Sequence, residues 1–273
     1  MPVSLFWHPA RAVILQIRKN CRTFDRLLKI RFNMRTHHYL VLMLSALCFL
    51  SPLKAQTFVF AGDSITDGGW GASGGRNTPA AKRNLTDPNH IYGHSYMMLV
   101  ASDWQSAYPS VGMEFHNRGI SGDSLAGLAA RWDADILSLK PDVISILVGV
   151  NDSAQAVDIK AWEDEFRALL SHTRQVLPDC KVVLCTPFLA PVGSMRTRED
   201  YPARAARIKE MGTAVRELAA EFRAVLVPFD DLFESLPAGA TPTWWIWDGI
   251  HPTAAGHRRM ATLWEQVVGA EVL

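Results

Sequence analysis

From position 57 onward, the chain alternates short apolar runs with longer stretches in which apolar residues recur every three or four positions. Thr57–Ala61, Met113–His116, Val143–Val148, Lys181–Cys185 and Val225–Phe229 form the short runs. They are nearly continuous rather than alternating, as strands covered on both faces require. Between them lie helical stripes. Leu125, Leu128, Ala129, Trp132 and Ile136 form one, and Trp162, Phe166, Leu169, Leu170, Thr173 and Val176 a second. Ile208, Met211, Val215, Leu218 and Phe222 form a third, and Met260, Leu263, Trp264, Val267 and Val268 a fourth. Each stripe predicts a helix with one core-facing side, and a further helix is expected over Ser95–Trp104. The βα alternation predicts an α/β protein: a three-layer α/β/α sandwich around a five-stranded parallel sheet. The pattern shows neither repeat nor linker. The longest irregular stretch is Asp67–Asn89, rich in Gly, Asn and Pro.

The first 55 residues read differently. Tyr39–Leu50 is an apolar run of 12 residues. That is shorter than the roughly 20 a membrane-spanning helix needs, but suits the apolar part of a secretory signal. Arg31 and Arg35 precede it and Leu53-Lys54-Ala55 follows. The expectation is a start at Met34, cleavage after Ala55, no membrane span in the mature protein, and a secreted or periplasmic location. Residues 1–33 are then an upstream extension or the product of a start placed too early. Cys48, inside the apolar run, follows Leu47 rather than a small residue, unlike a lipid-anchor cysteine. Residues 56–273 form a single domain.

Composition narrows the function. The whole chain has a net charge of +1. From Gln56 onward, however, 19 basic residues face 26 acidic ones, a net of −7. So acidic a domain is poorly suited to a phosphate backbone, and nucleic-acid binding is disfavoured. Cys180 and Cys185 bracket one expected strand, which would hold them about 16 Å apart, beyond disulfide reach. Two free thiols are expected. No Cys/His spacing suggests a metal, and His90 and His94 lack the flanking residues of a zinc motif. No cofactor is implied.

The chemistry gathers at strand ends. Gly62-Asp63-Ser64-Ile65-Thr66 closes the first strand, Asn117-Arg118-Gly119-Ile120-Ser121-Gly122-Asp123 the second, and Gly149-Val150-Asn151-Asp152 the third. In a parallel sheet these tips share one edge, where ligands bind. Asp248-Gly249-Ile250-His251-Pro252 stands just before the last helix. Together they supply a nucleophile, a base, a group to orient it and several hydrogen-bond donors. Taken singly, Ser64 or Asp248 reads as a helix cap, Asn151 as a turn residue and His251 as a surface histidine. Gly71-Ala72-Ser73-Gly74-Gly75 has the spacing of a nucleophile elbow but lies in loop sequence without a preceding strand. Asn84-Leu85-Thr86 and Asn151-Asp152-Ser153 are glycosylation sequons.

These four blocks, in this order, resemble those of the SGNH hydrolases, the GDSL esterase/lipase family, and its lysophospholipase- or acetylesterase-like members above all. The resemblance runs from about Phe58 to the C-terminus and implies a flavodoxin-like hydrolase fold. It implies Ser64 as nucleophile, His251 as base and Asp248 as its partner. It also implies an oxyanion hole from the Ser64 N–H, the Gly122 N–H and the Asn151 amide, with Gly119 as the alternative glycine. The expected activity is ester hydrolysis through an acyl-enzyme. A polar Gly/Asn-rich loop and no long apolar lid favour an O-acetylesterase acting on a small-molecule or glycan ester. A lysophospholipase or thioesterase, or a non-catalytic carbohydrate-binding module, are the alternatives. Asp63, Trp70 and Trp247 are candidate substrate contacts. Trp70, Trp244, Trp245 or Trp247 could stack on a sugar ring, although for Trp245 and Trp247 packing under the His251 loop is the favoured reading. Oligomeric state leaves no mark on the sequence.

Overall fold

The computed structural model describes residues 56–70 and 91–273. The expectations for the leader, Ser73, His90 and the Asn84 sequon lie outside the described residues.

Five strands form one all-parallel sheet: β1 Thr57–Gly62, β2 Glu114–Gly119, β3 Val143–Leu147, β4 Lys181–Cys185 and β5 Val225–Val227. Their order is β2-β1-β3-β4-β5. Helices cover both sides, as the continuous apolar runs require. The main ones are α1 Ser64–Asp67, α2 Tyr96–Ala107, α3 Leu125–Ala130, α4 Trp132–Asp135, α5 Ile159–Val176, α6 Tyr201–Glu221, α7 Phe229–Ser235 and α8 Ala254–Val272. Helices α2 and α8 pack together, as do α5 and α6. On the first side, Phe58 meets Trp104 edge-on at 5.4 Å and Phe60 meets Trp264 at 4.9 Å. Burying such rings in one shared core supplies most of the drive to fold. Cys180 and Cys185 are free and buried, and burial pushes both thiols up to about 12. Among the described residues, no helix is long and apolar enough to cross a membrane.

Three elements depart from the pattern. The stripe from Leu125 to Ile136 does not form one helix. It breaks at Arg131 into α3 and α4, and Leu137–Leu139 adds a 3₁₀ turn. Strand β2 runs on through polar Asn117 and Arg118 to Gly119. Strand β5 stops at Val227, because Pro228 has no N–H to offer a ladder. Register places Gly62 beside both Gly119 and Leu147, so three strand tips meet at one edge.

Candidate active site

The tip of β1 is built by close backbone approach. A Cβ on Gly62 would lie 2.3 Å from the Leu147 carbonyl oxygen, so only glycine lets β1 and β3 end side by side. The chain then turns into α1, where Asp63 is the N-cap and its Oδ1 accepts the Ile65 N–H at 2.9 Å. Ser64 is the first residue of the helix, so its N–H has no carbonyl within the helix to bond.

Ser64 Oγ lies 2.8 Å from His251 Nε2, and His251 Nδ1 lies 2.7 Å from Asp248 Oδ2. Asp248 Oδ1 accepts the main-chain N–H groups of Ile250 and His251. Burial pushes the Asp248 carboxyl up, but the hydrogen bonds from the His251 backbone, its ring and Ile250 outweigh it. They hold the group below the usual carboxylate range. An ionised Asp248 only accepts, so it draws the ring hydrogen to Nδ1. That leaves the Nε2 lone pair facing the Ser64 hydroxyl.

The loop bearing Asp248 and His251 is fastened twice. Trp247 N–H donates to the His251 carbonyl at 3.0 Å, and Ile246 bridges Pro252. The segment after β4 grips it from outside. Ala190 N–H donates to the Gly249 carbonyl, while Met195 N–H and Ser194 Oγ donate to that of Asp248. Gly193, at φ +53°, sits so close that a Cβ there would be 2.3 Å from the Trp247 oxygen.

Opposite Ser64, the β2 and β3 loops interlock. Asn151 Nδ2 donates to the Asp123 carbonyl at 2.8 Å, and the Asp152 carboxylate accepts the Leu125 N–H at 3.0 Å. One amide hydrogen of Asn151 therefore remains for the site. The two candidate glycines separate clearly. Gly119 N–H is taken by Asn117 Oδ1 at 2.9 Å. Among the described residues, no acceptor takes the N–H of Gly122 or of Ser64. The alternative of Gly119 as an oxyanion donor is thereby removed.

Two candidate substrate contacts are corrected. Asp63 is 1% exposed and spends one oxygen on the α1 cap, while Oδ2 has no hydrogen-bond partner among the described residues. Burial, aided by the charges of Asp152 and Asp123, pushes its carboxyl up to about 7 against the Ile65 hydrogen bond. It supports the turn from beneath and does not face solvent. Trp70 is also 1% exposed. Its Nε1 donates to the Gly119 carbonyl at 2.7 Å, and the Arg118 guanidinium lies 5.0 Å from its ring. Its ring packs and offers no face to a sugar. Trp247, by contrast, is 58% exposed beside His251. Trp244 is exposed as well, whereas Trp245 is half-buried, its Nε1 on the Pro237 carbonyl and Arg259 over its ring. The capping readings also resolve: Asp63 caps α1, and Thr253, not Asp248, caps α8. His94 is exposed on the turn before α2.

Sequence reasoning missed several supporting residues. Arg204 is buried and donates from Nη2 to the Val150 carbonyl at 3.0 Å, behind Asn151. Nδ1 of His257 accepts the Tyr96 N–H that opens α2. Burial, with the charges of His94 and His251, pushes this ring down to about 4. The clamp of Ala190–Met195 left only Gly193 as a signal.

Comparison with known proteins agrees with this geometry. The profile of the GDSL-like Lipase/Acylhydrolase family matches residues 60–259. An acetylxylan esterase of Geobacillus stearothermophilus is 30% identical over 226 residues, covering 80% of this chain and 96% of that protein. A crystal structure of a GDSL-like lipase from Parabacteroides merdae superposes with a TM-score of 0.68 at 32% identity, covering 80% of this chain and 98% of the other. A crystal structure of the Geobacillus acetylxylan esterase superposes with a TM-score of 0.62 at 25% identity, covering 80% and 96%. With four motif blocks on one sheet edge and a family match spanning most of the domain, this chain belongs to the GDSL-like lipase/acylhydrolase family and is a carboxylic ester hydrolase.

Proposed function

We propose that the protein is an O-acetylesterase of acetylated carbohydrate that works through an acetyl-enzyme on Ser64. The observation carrying this reading is the unbroken hydrogen-bonded line Ser64–His251–Asp248. His251 Nε2 takes the Ser64 proton as Oγ attacks the ester carbonyl. The oxyanion that forms receives the N–H groups of Ser64 and Gly122 and the free amide hydrogen of Asn151. Collapse breaks the ester C–O bond, and His251 returns the proton to the departing sugar oxygen, which leaves as a hydroxyl. Water, deprotonated by the same ring, then releases acetate and restores Ser64. Asp248 keeps the ring in one tautomer and stabilises it while charged.

Similarity to an acetylxylan esterase supports the acetyl group and the carbohydrate. So does the exposed Trp247 ring, a flat apolar face beside the base. The test is hydrolysis of p-nitrophenyl esters from acetate to palmitate by the wild type and Ser64→Ala, followed by acetate release from acetylated xylooligosaccharide. Activity falling steeply beyond short acyl chains and lost in Ser64→Ala is expected. A maximum at long chains would move the substrate to lipid esters. Full activity in the variant would remove Ser64 as nucleophile.

A further inference from the structure

Arg131 stands where the expected Leu125–Ile136 helix breaks, serving α3 as C-cap and α4 as N-cap. Its side chain is mostly buried and reaches back across the strand tips. Nε donates to Asp123 Oδ2 at 2.8 Å, and Nη2 lies 2.7 Å from the same oxygen. Nη2 also donates to the Arg118 carbonyl at 2.8 Å and reaches that of Gly62 at 3.5 Å. Nη1 donates to Asp135 Oδ2 at 3.2 Å, which fixes the guanidinium from behind. One planar fork therefore touches the end of β1, the end of β2 and the loop after β2. Asp123 completes the set, because its carbonyl accepts the Asn151 amide at 2.8 Å. Gly62 lies two residues before Ser64, and Asp123 directly follows Gly122.

We infer that Arg131 is a positioning residue of the oxyanion hole, indexing the three segments that carry Ser64, Gly122 and Asn151 against one another. The inference rests on the oxyanion reading given above. Its physical basis is geometric. Oxyanion donors act only when fixed before charge develops, and small displacements of catalytic groups are costly. A guanidinium presents donors in a rigid plane and can bind several acceptors at set angles, which a lysine ammonium cannot reproduce. Arg131 touches no substrate. It acts through Asp123 and the two strand-end carbonyls.

The test is a double-mutant cycle on kcat and KM for p-nitrophenyl acetate, normalised to the folded fraction by circular dichroism. Arg131→Met is expected to lower kcat about tenfold or more, with KM within about threefold. Arg131→Lys should recover part of that loss. In an Asn151→Ala background, where one donor is already gone, Arg131→Met should cost no more than about threefold, because the two act as a unit. A folded Arg131→Met with wild-type kcat overturns the inference, and so do losses that multiply in full. If Arg131→Met does not fold, Arg131→Lys is put through the same cycle under the same criteria. Wild-type kcat in Asn151→Ala alone would overturn the oxyanion reading instead. An impaired Asn151→Ala beside an unimpaired Arg131 variant would remove only the role of Arg131.

Discussion

Trp247 holds its indole nearly parallel to the ring of His251, with centroids 6.3 Å apart and planes 25° apart. The proposed base thus stands beside a large flat apolar surface that reaches into solvent. Trp247→Ala should raise KM for acetylated xylooligosaccharide about three- to tenfold, as expected when one aromatic contact is lost. KM for p-nitrophenyl acetate, which carries no sugar, should change far less. Equal rises on both substrates would show that the ring serves the His251 loop rather than the glycan.

Asn151→Ala should lower kcat by roughly 100-fold or more and leave KM nearly unchanged, since an oxyanion donor acts mainly in the transition state. The side chain also ties Asn151 to Asp123, so a modest drop in melting temperature should accompany it. Steady-state kinetics beside a thermal melt separate the two effects.

Gly119 and Gly122 should fail differently. A Cβ on Gly119 would lie 2.4 Å from the Asp67 main-chain nitrogen, so Gly119→Ala should abolish soluble expression or lower the melting temperature sharply. Gly122 sits at φ +90°, and alanine there should cost about 1–3 kcal/mol of strain. Gly122→Ala is therefore expected to remain folded but to lose kcat. Scanning fluorimetry and initial rates on both proteins decide this.

Two buried groups tilt stability with pH in opposite directions. Asp63 titrates near 7 when folded, against an ordinary 3.8, so the folded state holds the extra proton between those values. Its stabilising contribution is complete below 3.8 and is lost as pH rises through about 7. His257 titrates near 4 when folded, against an ordinary 6.5, so its contribution is complete above 6.5 and is lost as pH falls to about 4. In wild type the two slopes largely offset each other between pH 4 and 6.5. Asp63→Asn should therefore gain in melting temperature relative to wild type as pH rises from about 5 to 8. His257→Gln should gain relative to wild type as pH falls from about 6.5 to 4. A constant offset for either variant across melts from pH 4 to 8 would show that the group does not titrate there.

The strands were legible because a sheet covered on both sides needs continuous apolar runs, and each of the five runs overlaps an observed strand. Strand β2 was read short because Asn117 and Arg118 are polar. Hydropathy cannot see that Asn117 is a buried hub, its Nδ2 donating to the carbonyls of Thr66, Asp67 and Tyr92. The break at Arg131 escaped for a related reason. The apolar spacing runs straight through it, while three of the four residues its side chain bonds lie 8 to 69 positions away. Ser64, Asn151, Asp248 and His251 stand out in the sequence because their motifs are local. Asp63 and Trp70 were placed in the substrate site on proximity along the chain, which says nothing of which way a side chain faces. Apart from the Ser194 hydroxyl, the Ala190–Met195 clamp makes its grip with main-chain atoms, which leave almost no trace in residue type.

The two fastenings of the Asp248 loop also bear on motion. The Trp247–His251 hydrogen bond and the Ile246–Pro252 bridge close the loop on itself, so Asp248 and His251 move as one cassette. Any displacement that spared both fastenings would change the gap between His251 and Ser64 and keep the carboxylate–imidazole contact. Proton NMR would report this as a persistent downfield Nδ1 resonance across states of very different nucleophilicity. The loop thus presents carboxylate and imidazole to Ser64 as one preassembled unit rather than as two independent parts.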